Sequence, residues 1–367
     1  MLRNGLGELL ATEVPKSTRF VDLFTGSAAV ANHVAQNFEI EVLASDLQTY
    51  SVVLADAVIS RIRRVDAVPF WAEWSSNARK LIRKFGDPPT FFGALTKQDV
   101  IRQRSWCENQ KLPITSAYGG HYFSAEQALW IDALRATLPS LRAKRCIALA
   151  ALIRSASQCA AGPGHTAQPF QPTLTAKKHL QDAWRRDVLA QTQRQLNLLS
   201  SSTAHVRGRA RRIDANLMAL NVGQGDLVFI DPPYSGVHYS RFYHVLETVA
   251  SGATVEVSGI GRYPPESERP RSSFSIQSES HNAFDALLKI ISERKASAII
   301  TFPAHECSNG LSGHRVIKLA KKHFSVRKKT VASKFSSLGG TSDSRGNEAG
   351  RDARVDASEL ILHLTPR

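Results

Sequence analysis

Two short runs of residues have types and spacings that could do chemistry. The first is Asp231-Pro232-Pro233-Tyr234, directly after the apolar run Asp226-Leu227-Val228-Phe229-Ile230. Paired prolines leave few donors and a stiff backbone, so a carbonyl in such a run can be held in a fixed position. A carboxylate beside that carbonyl gives two acceptors for the two N–H bonds of an exocyclic amino group, and a tyrosine ring offers a base a face to stack on. Engaging both amino protons localises the nitrogen lone pair, which is otherwise delocalised into the ring. The nitrogen then becomes nucleophilic toward an electrophilic methyl group. The plain competing reading is a Pro-Pro turn that closes a strand over a buried tyrosine.

The second run is Asp22-Leu23-Phe24-Thr25-Gly26-Ser27. A glycine between a strand and a helix lets a ligand approach the backbone closely. Asp46, which ends the next apolar run, follows Asp22 by 24 residues, near the ~20 typical of an acid that binds ribose hydroxyls in a βαβ unit. Alone this signal is weak, because many such units carry a glycine turn with nothing bound.

The elements around these runs fall into an interrupted α/β pattern. Arg19–Phe24 reads as a strand, Thr25–Ser27 as a turn and Ala28–Gln36 as a helix. Glu41–Ser45 reads as a second strand and Tyr50–Arg64 as a second helix, which begins a parallel sheet. From Asp66 to Ser202 that pattern is replaced by aromatic clusters, basic pairs and helical periodicity at Glu126–Leu138, Leu141–Ala156 and Asp182–Leu199. A breaker-rich loop spans Gly162–Pro172. Strands resume at His205–Ile213, Asp226–Ile230, Ala296–Thr301, Phe324–Val331 and Glu359–Leu364, with helices at Tyr239–Ala250 and Ala283–Arg294. Gly261–Ser280 and Ser336–Arg354, rich in Ser, Gly, Pro and charge, read as mobile.

Composition narrows the partners. The chain has 367 residues, 43% hydrophobic and 22% charged, with 47 Lys+Arg against 32 Asp+Glu and a net charge of +15. That excess favours a polyanion, nucleic acid ahead of an acidic membrane surface. Basic clusters at Arg79–Lys84, Arg142–Arg145, Arg207–Arg212 and Lys321–Lys329 add to it, although any one alone is an ordinary solvated face. The first residues hold no apolar signal region, and no apolar run reaches the ~18 residues of a membrane span. Cys107, Cys146, Cys159 and Cys307 are scattered, which points to four reduced thiols in a cytoplasmic protein and no cysteine-based metal site. No carboxylate cluster suggests a metal, which removes the basis for a nuclease reading.

The two runs, in this order, resemble those of DNA adenine N6-methyltransferases of the alpha, Dam-like class. Between Gly26 and Asp231 lies room for a recognition domain. The resemblance implies a Rossmann-like α/β sheet with a reversed last strand, dependent on S-adenosylmethionine, with an inserted mainly helical recognition domain. It assigns residues 1–65 and 203–367 to the catalytic domain and 66–202 to target recognition. It implies methyl transfer to N6 of an adenine flipped out of double-stranded DNA, and leaves room for a restriction or defence-system partner. Carried over by position, Asp22, Phe24, Thr25, Gly26 and Ser27 form the cofactor loop, and Asp46 holds the ribose. Asp214 contacts the cofactor's adenine, with a helix N-cap as its rival role. Asp231 and the Pro232 carbonyl hold N6, and Pro233 and Tyr234 complete the motif. His165 and His238 lie in segments placed near the flipped base, either as a general base or as ordinary loop residues.

Two departures stand out. The family's Gly-x-Gly loop is here Gly26-Ser27-Ala28, and its N-terminal aromatic-glycine-lysine element is represented only by Arg3-Asn4-Gly5. The alternatives are methylation of cytosine N4 or of an RNA base, and a catalytically silent DNA-binding protein. Serine is more usual than Asp231 in the cytosine enzymes and asparagine in the RNA enzymes.

Overall fold

Runs of consecutive apolar residues suit strands that are covered on both faces, and the computed structural model, which describes residues 2–336 and 354–367, forms the middle of its sheet from such runs. The strands are β1 Arg19–Asp22, β2 Glu41–Asp46, β3 Arg209–Arg212, β4 Leu227–Ile230, β5 Ser297–Pro303, β6 Phe324–Ser336 and β7 Arg354–Pro366. Their order across the sheet is β3-β2-β1-β4-β5-β7-β6. The first five run parallel, and β7 runs antiparallel to both β5 and β6. The reversed last strand expected from the sequence is therefore present. Every residue of β4 is buried, whereas β3, an edge strand of sequence Arg-Ala-Arg-Arg, is mostly exposed.

Side-chain alternation sorts the core into two layers. Phe20, Val42, Phe229 and Ile299 face the helices Ala29–Asn37 and Thr49–Ile59. Val21, Val228, Ile230 and Ile300 face Ser280–Glu293 and Gly313–His323. Between β2 and β3 the described residues hold no strand in the sheet. They form the helices Ala67–Ile82, Lys97–Glu108, Pro113–Tyr118, Ala125–Ala136, Arg142–Cys159, Lys177–Trp184 and Val188–Ser201. These helices share the sheet's core: Phe70, Trp74, Leu134, Ile147 and Leu196 join one apolar cluster with Val58 and Ile59. Leu95, Val100, Leu180 and Trp184 form a separate, smaller one.

Several boundaries differ from the sequence reading, each for a local reason. The helix expected to run to Arg64 stops at Ile59. There the buried Arg61 guanidinium turns away from solvent and donates to the carbonyls of Ala57, Arg63, Leu199 and Ser202 at 2.8–2.9 Å. The helix expected over Asp182–Leu199 is two helices, because the Asp187 carboxylate caps the second one through the Leu189 and Ala190 N–H groups. The strand expected over His205–Ile213 is only four residues long, since the His205 and Gly208 N–H groups bond Ala35 and Ile59 instead of a neighbouring strand. The helix expected over Tyr239–Ala250 breaks at Tyr243, where φ is −130°.

Gly261–Ser280, read as mobile, holds defined contacts instead. Tyr263 packs its ring on His244, and Phe274 and Ser275 are buried. Of the other segment read as mobile, Ser336 and Arg354 end β6 and β7 and the rest lies outside the described residues. Arg61 ties the helical segment to the sheet, which makes it a test of their shared core. Replacing it with leucine strands up to four carbonyls, so Arg61→Leu is expected to lower stability by about 2–4 kcal/mol, read from urea unfolding. An unchanged midpoint would show that these bonds do not hold the two parts together.

Candidate active site

In an open parallel sheet, ligands bind beyond the carboxyl ends of the strands, where the strand order reverses. Here the reversal falls between β1 and β4. A cavity of about 1010 Å³ opens beside these ends, and Phe24, Gly26, Ser27, Asp46, Asp214, Asp231, Pro232, Pro233 and Tyr234 all line it. Residues 204 or more apart in sequence thus share one wall.

Asp22 and Thr25 stand apart from the lining. Asp22 is 1% exposed, and its carboxylate accepts the Phe24 N–H at 3.3 Å. Burial pushes that carboxyl up to about 8, with the charges of Asp231 and Asp46 adding to the shift. The Thr25 N–H donates to the Ser45 carbonyl at 3.0 Å. Both residues fix the turn that carries Phe24 and Gly26 into the cavity.

The Asp46 carboxylate accepts the Gly26 and Gln48 N–H groups, each at 2.9 Å, while burial raises its pKa. Gly26 has φ +51°, and a Cβ there would meet only the Phe24 carbonyl, at 3.9 Å. The backbone is open to close approach. Phe24 is held edge-on by Phe274, ring centroids 4.9 Å apart. Asp214 does two things: its side chain caps the helix Ala215–Ala219 through the Asn216 N–H at 2.8 Å, and it lines the cavity.

Asp231 follows β4, and its carboxylate accepts the hydroxyl of Thr301, on β5, at 2.9 Å. Burial pushes its pKa up to about 7, against the lowering effect of that bond. The Pro233 carbonyl accepts the Asn309 Nδ2 at 2.8 Å. Tyr234 is partly exposed and stands edge-on to Tyr239, centroids 6.3 Å apart. His238 lines the cavity and His165 does not; His165 packs on Phe242 and accepts the Ala167 N–H.

Sequence reasoning missed several contributors. Asn309, fully buried, donates to both Pro233 and Phe274 and so fastens the motif to the 261–280 segment. Its surroundings, Ser308-Asn309-Gly310, carry no motif that the sequence reading singled out. Thr301 sits in an apolar strand and carries no signal of its own. Arg154, on the helix Arg142–Cys159, is the only Lys or Arg among the described lining residues, against Asp46, Asp214, Asp231 and Glu359. Gln48 Oε1, Ser240 Oγ and Ser275 Oγ are buried in lining residues without a hydrogen-bond partner. Orphaned acceptors and hydroxyls in a cavity with excess negative charge fit a polar, cationic ligand such as a sulfonium-bearing nucleoside.

A family model for D12 class N6 adenine-specific DNA methyltransferases matches residues 5–298. The chain belongs to that family. Its similarity to M.FokI, a type II methyltransferase of Planomicrobium okeanokoites, is 26% identity over 282 residues, 74% of this chain and 38% of that enzyme. The modification methylase LlaI of Lactococcus lactis subsp. lactis is 23% identical over 79% of this chain and 43% of its own length. M.CviAII, a type II methyltransferase of Paramecium bursaria Chlorella virus 1, is 24% identical over 76% of this chain and 73% of its own. The matched region thus spans less than half of the first two relatives. The mixed α/β sheet described above is consistent with the methyltransferase fold of this family.

Ala28 stands where the Gly-x-Gly pattern noted in the sequence has its second glycine. Its φ is +61°, the left-handed region that favours glycine, and it is fully buried. Left-handed strain costs an L-residue ~1–2 kcal/mol. A glycine there would forfeit ~0.8 kcal/mol of methyl burial and loosen the unfolded chain by ~0.4–1 kcal/mol. The terms nearly cancel, which is how alanine can occupy this position. Ala28→Gly is therefore expected to change stability by less than about 1 kcal/mol, whereas Ala28→Val, branched and overpacked, loses ~2 kcal/mol or more. Thermal unfolding of the two variants checks this, and a large stabilisation by glycine would contradict the balance.

Proposed function

We propose that this chain transfers a methyl group from S-adenosylmethionine to N6 of an adenine flipped out of double-stranded DNA. The observation that carries this reading is that Asp231-Pro232-Pro233-Tyr234 and the Phe24–Ser27 turn with Asp46 open onto the same cavity. When bound, the cofactor supplies an electrophilic methyl group on a sulfonium. Gly26 and Ser27 would face its methionine part together with Phe24, Asp46 would accept from its ribose hydroxyls, and Asp214 would accept from its adenine amino group. The Asp231 carboxylate and Pro232 carbonyl would accept the two N6 protons of the target base, leaving the nitrogen lone pair free, with Tyr234 stacked on the base. Asn309 acts at one remove by fixing the Pro233 carbonyl.

The helical segment, within residues 66–202, serves as the target-recognition part, and residues 1–65 and 203–367 as the catalytic part. Its helix Arg142–Cys159 brings Arg154 to the cavity wall, a cation suited to a phosphate beside the flipped base. The D12 relatives named as type II methyltransferases support site-specific action and a restriction or defence-system partner. No helix among the described residues is long and apolar enough to cross a membrane.

Nucleoside mass spectrometry on DNA from methylase-deficient cells tests the reading. N6-methyladenine is expected with the wild-type chain and not with Asp231→Ala, which should retain DNA binding. Methylation at the wild-type level by Asp231→Ala would overturn the catalytic assignment, and N4-methylcytosine would overturn the choice of base.

A second test uses pH. Asp231 accepts N–H groups most strongly as the anion, and burial pushes its pKa up to about 7. The rate kcat/KM should therefore rise with pH to a plateau above about 7. Thr301→Val removes the bond that favours the anion, so the midpoint should move upward. The stability consequence has the opposite sense. The folded state keeps a proton that the unfolded chain releases near ~3.9, so this group costs stability as pH rises from there to about 7, and no further above it. A pH profile unchanged by Thr301→Val would remove Asp231 as the titrating group.

A further inference from the structure

Away from the active-site cavity lies a second concavity, of about 840 Å³, with an unusual charge lining. It runs between the end of the helix Thr49–Ile59, the start of the helix Arg142–Cys159 and the edge strand β3. Arg63, Arg64, Arg207, Arg209 and Arg211 line it, all exposed. None of these five guanidinium groups makes a hydrogen bond or ion pair among the described residues. Asp56 is the only acid in the lining, 3.9 Å from Arg142.

The backbone aligns these charges. Alternate residues of an extended strand point the same way, so Arg209 and Arg211 on β3 stand ~6.6 Å apart along it, and Arg207 joins them in the lining from the segment before the strand. In register, Arg212 stands opposite Asp46 and Arg209 opposite Leu43. Arg211 and Arg209 thus lie one and three residues back from the level of the cavity's Asp46, along the flank of the sheet. At the other wall, the 18-residue helix Arg142–Cys159 begins with no side-chain cap and no acid in its first turn. Its free N–H groups and positive dipole end meet the arginines, and each raises the local potential for an anion.

Charging an edge strand also discourages unwanted strand pairing. That purpose explains arginines on β3, but not their convergence with Arg63, Arg64 and an uncapped helix N-terminus in one concavity.

We infer that this groove binds the sugar-phosphate backbone of duplex DNA outside the stretch that holds the target base. The inference rests on the DNA-methyltransferase reading for the nature of the polyanion. Several unpartnered arginines converging in one concavity match a run of phosphates, whereas a membrane would be met by a flat face. The groove would thus hold flanking DNA along the sheet while the cavity holds the base.

The test is the salt dependence of binding to a long random-sequence duplex, measured by anisotropy between ~50 and ~200 mM salt. The triple variant Arg207→Gln/Arg209→Gln/Arg211→Gln is compared with wild type, with Arg63→Gln/Arg64→Gln, and with a charge-matched control, Lys289→Gln/Lys295→Gln/Lys318→Gln. The groove predicts that the log–log slope falls by ~2–3 in the triple variant and by ~1–2 in the double variant, at ~0.9 per phosphate lost. The control should stay at the wild-type slope, and all variants should still methylate genomic DNA. Equal slopes in wild type and both arginine variants would overturn the inference. So would a loss confined to vesicles of anionic phospholipid, which would make the groove a lipid site. A slope that falls as expected in a chain that never methylates DNA would sustain the groove while sinking the methyltransferase reading.

Discussion

Desolvation of carboxylates at the end of a parallel sheet is the constraint on which the rest of this molecule depends. Asp46, Asp22 and Asp231 lie at the ends of three adjacent strands, β2, β1 and β4. Burial raises the pKa of all three. A buried carboxylate is tolerable only when its lone pairs are occupied or its proton retained. The three solve this differently. Asp46 gives its oxygens to two backbone N–H groups, Asp22 is sealed inside with one, and Asp231 has a single hydroxyl partner. The last arrangement leaves acceptor capacity facing the cavity. It also holds the group near the point where it can exist as the anion at neutral pH.

Keeping that geometry requires parts of the chain far from either motif. Thr301 comes from the middle of β5, so strand pairing between β4 and β5 sets its approach to Asp231. Asn309 spends its amide donors on Pro233 and Phe274, and its side-chain oxygen accepts the Leu311 N–H. One buried side chain therefore couples the motif, the segment bearing Phe274 and the loop after β5. Phe274 in turn meets Phe24 on the other side of the cavity. The turn after β1 and the motif after β4 are thus connected through packing as well as through the sheet.

Much of this was legible in the sequence because it depends on short-range chemistry. The apolar run ending in Asp231-Pro232-Pro233-Tyr234 announces a strand and a stiff loop, and Gly26 announces a turn between strand and helix. Those features place Asp231 and Asp46 near one another once the sheet is parallel. What stayed hidden depends on tertiary contact. A threonine in β5 and an asparagine before a glycine look ordinary until the fold brings them to Asp231 and Pro233. The helix end at Ile59 and the break before Asp187 were missed because periodicity continues past them, whereas a guanidinium decides where one helix stops and a capping carboxylate where another begins. The 261–280 segment looked mobile by composition, yet Tyr263 and Phe274 anchor it, and two aromatic side chains outweigh a background of serine and charge.

Charge separation is the remaining step. The chain as a whole carries +15, while its cavity is lined by four carboxylates and one guanidinium. The proposed reaction makes opposite demands, since a cationic methyl donor and a polyanionic duplex must meet at one nitrogen. A uniformly basic protein would repel the donor, and a uniformly acidic one would repel the DNA. Sequestering the carboxylates at the sheet's carboxyl ends screens them from the outside, because a charge beyond ~8 Å of salt solution is largely invisible. The arginines on the exterior then act on phosphates that come within a Debye length of the surface, and the aspartates act only on what enters the cavity. Arg154 stands where the two regimes meet, on a helix whose buried face belongs to the same core as the sheet. Among the described lining residues every other Asp, Glu, Lys or Arg is an acid, so Arg154 is the point on the wall that favours a phosphate.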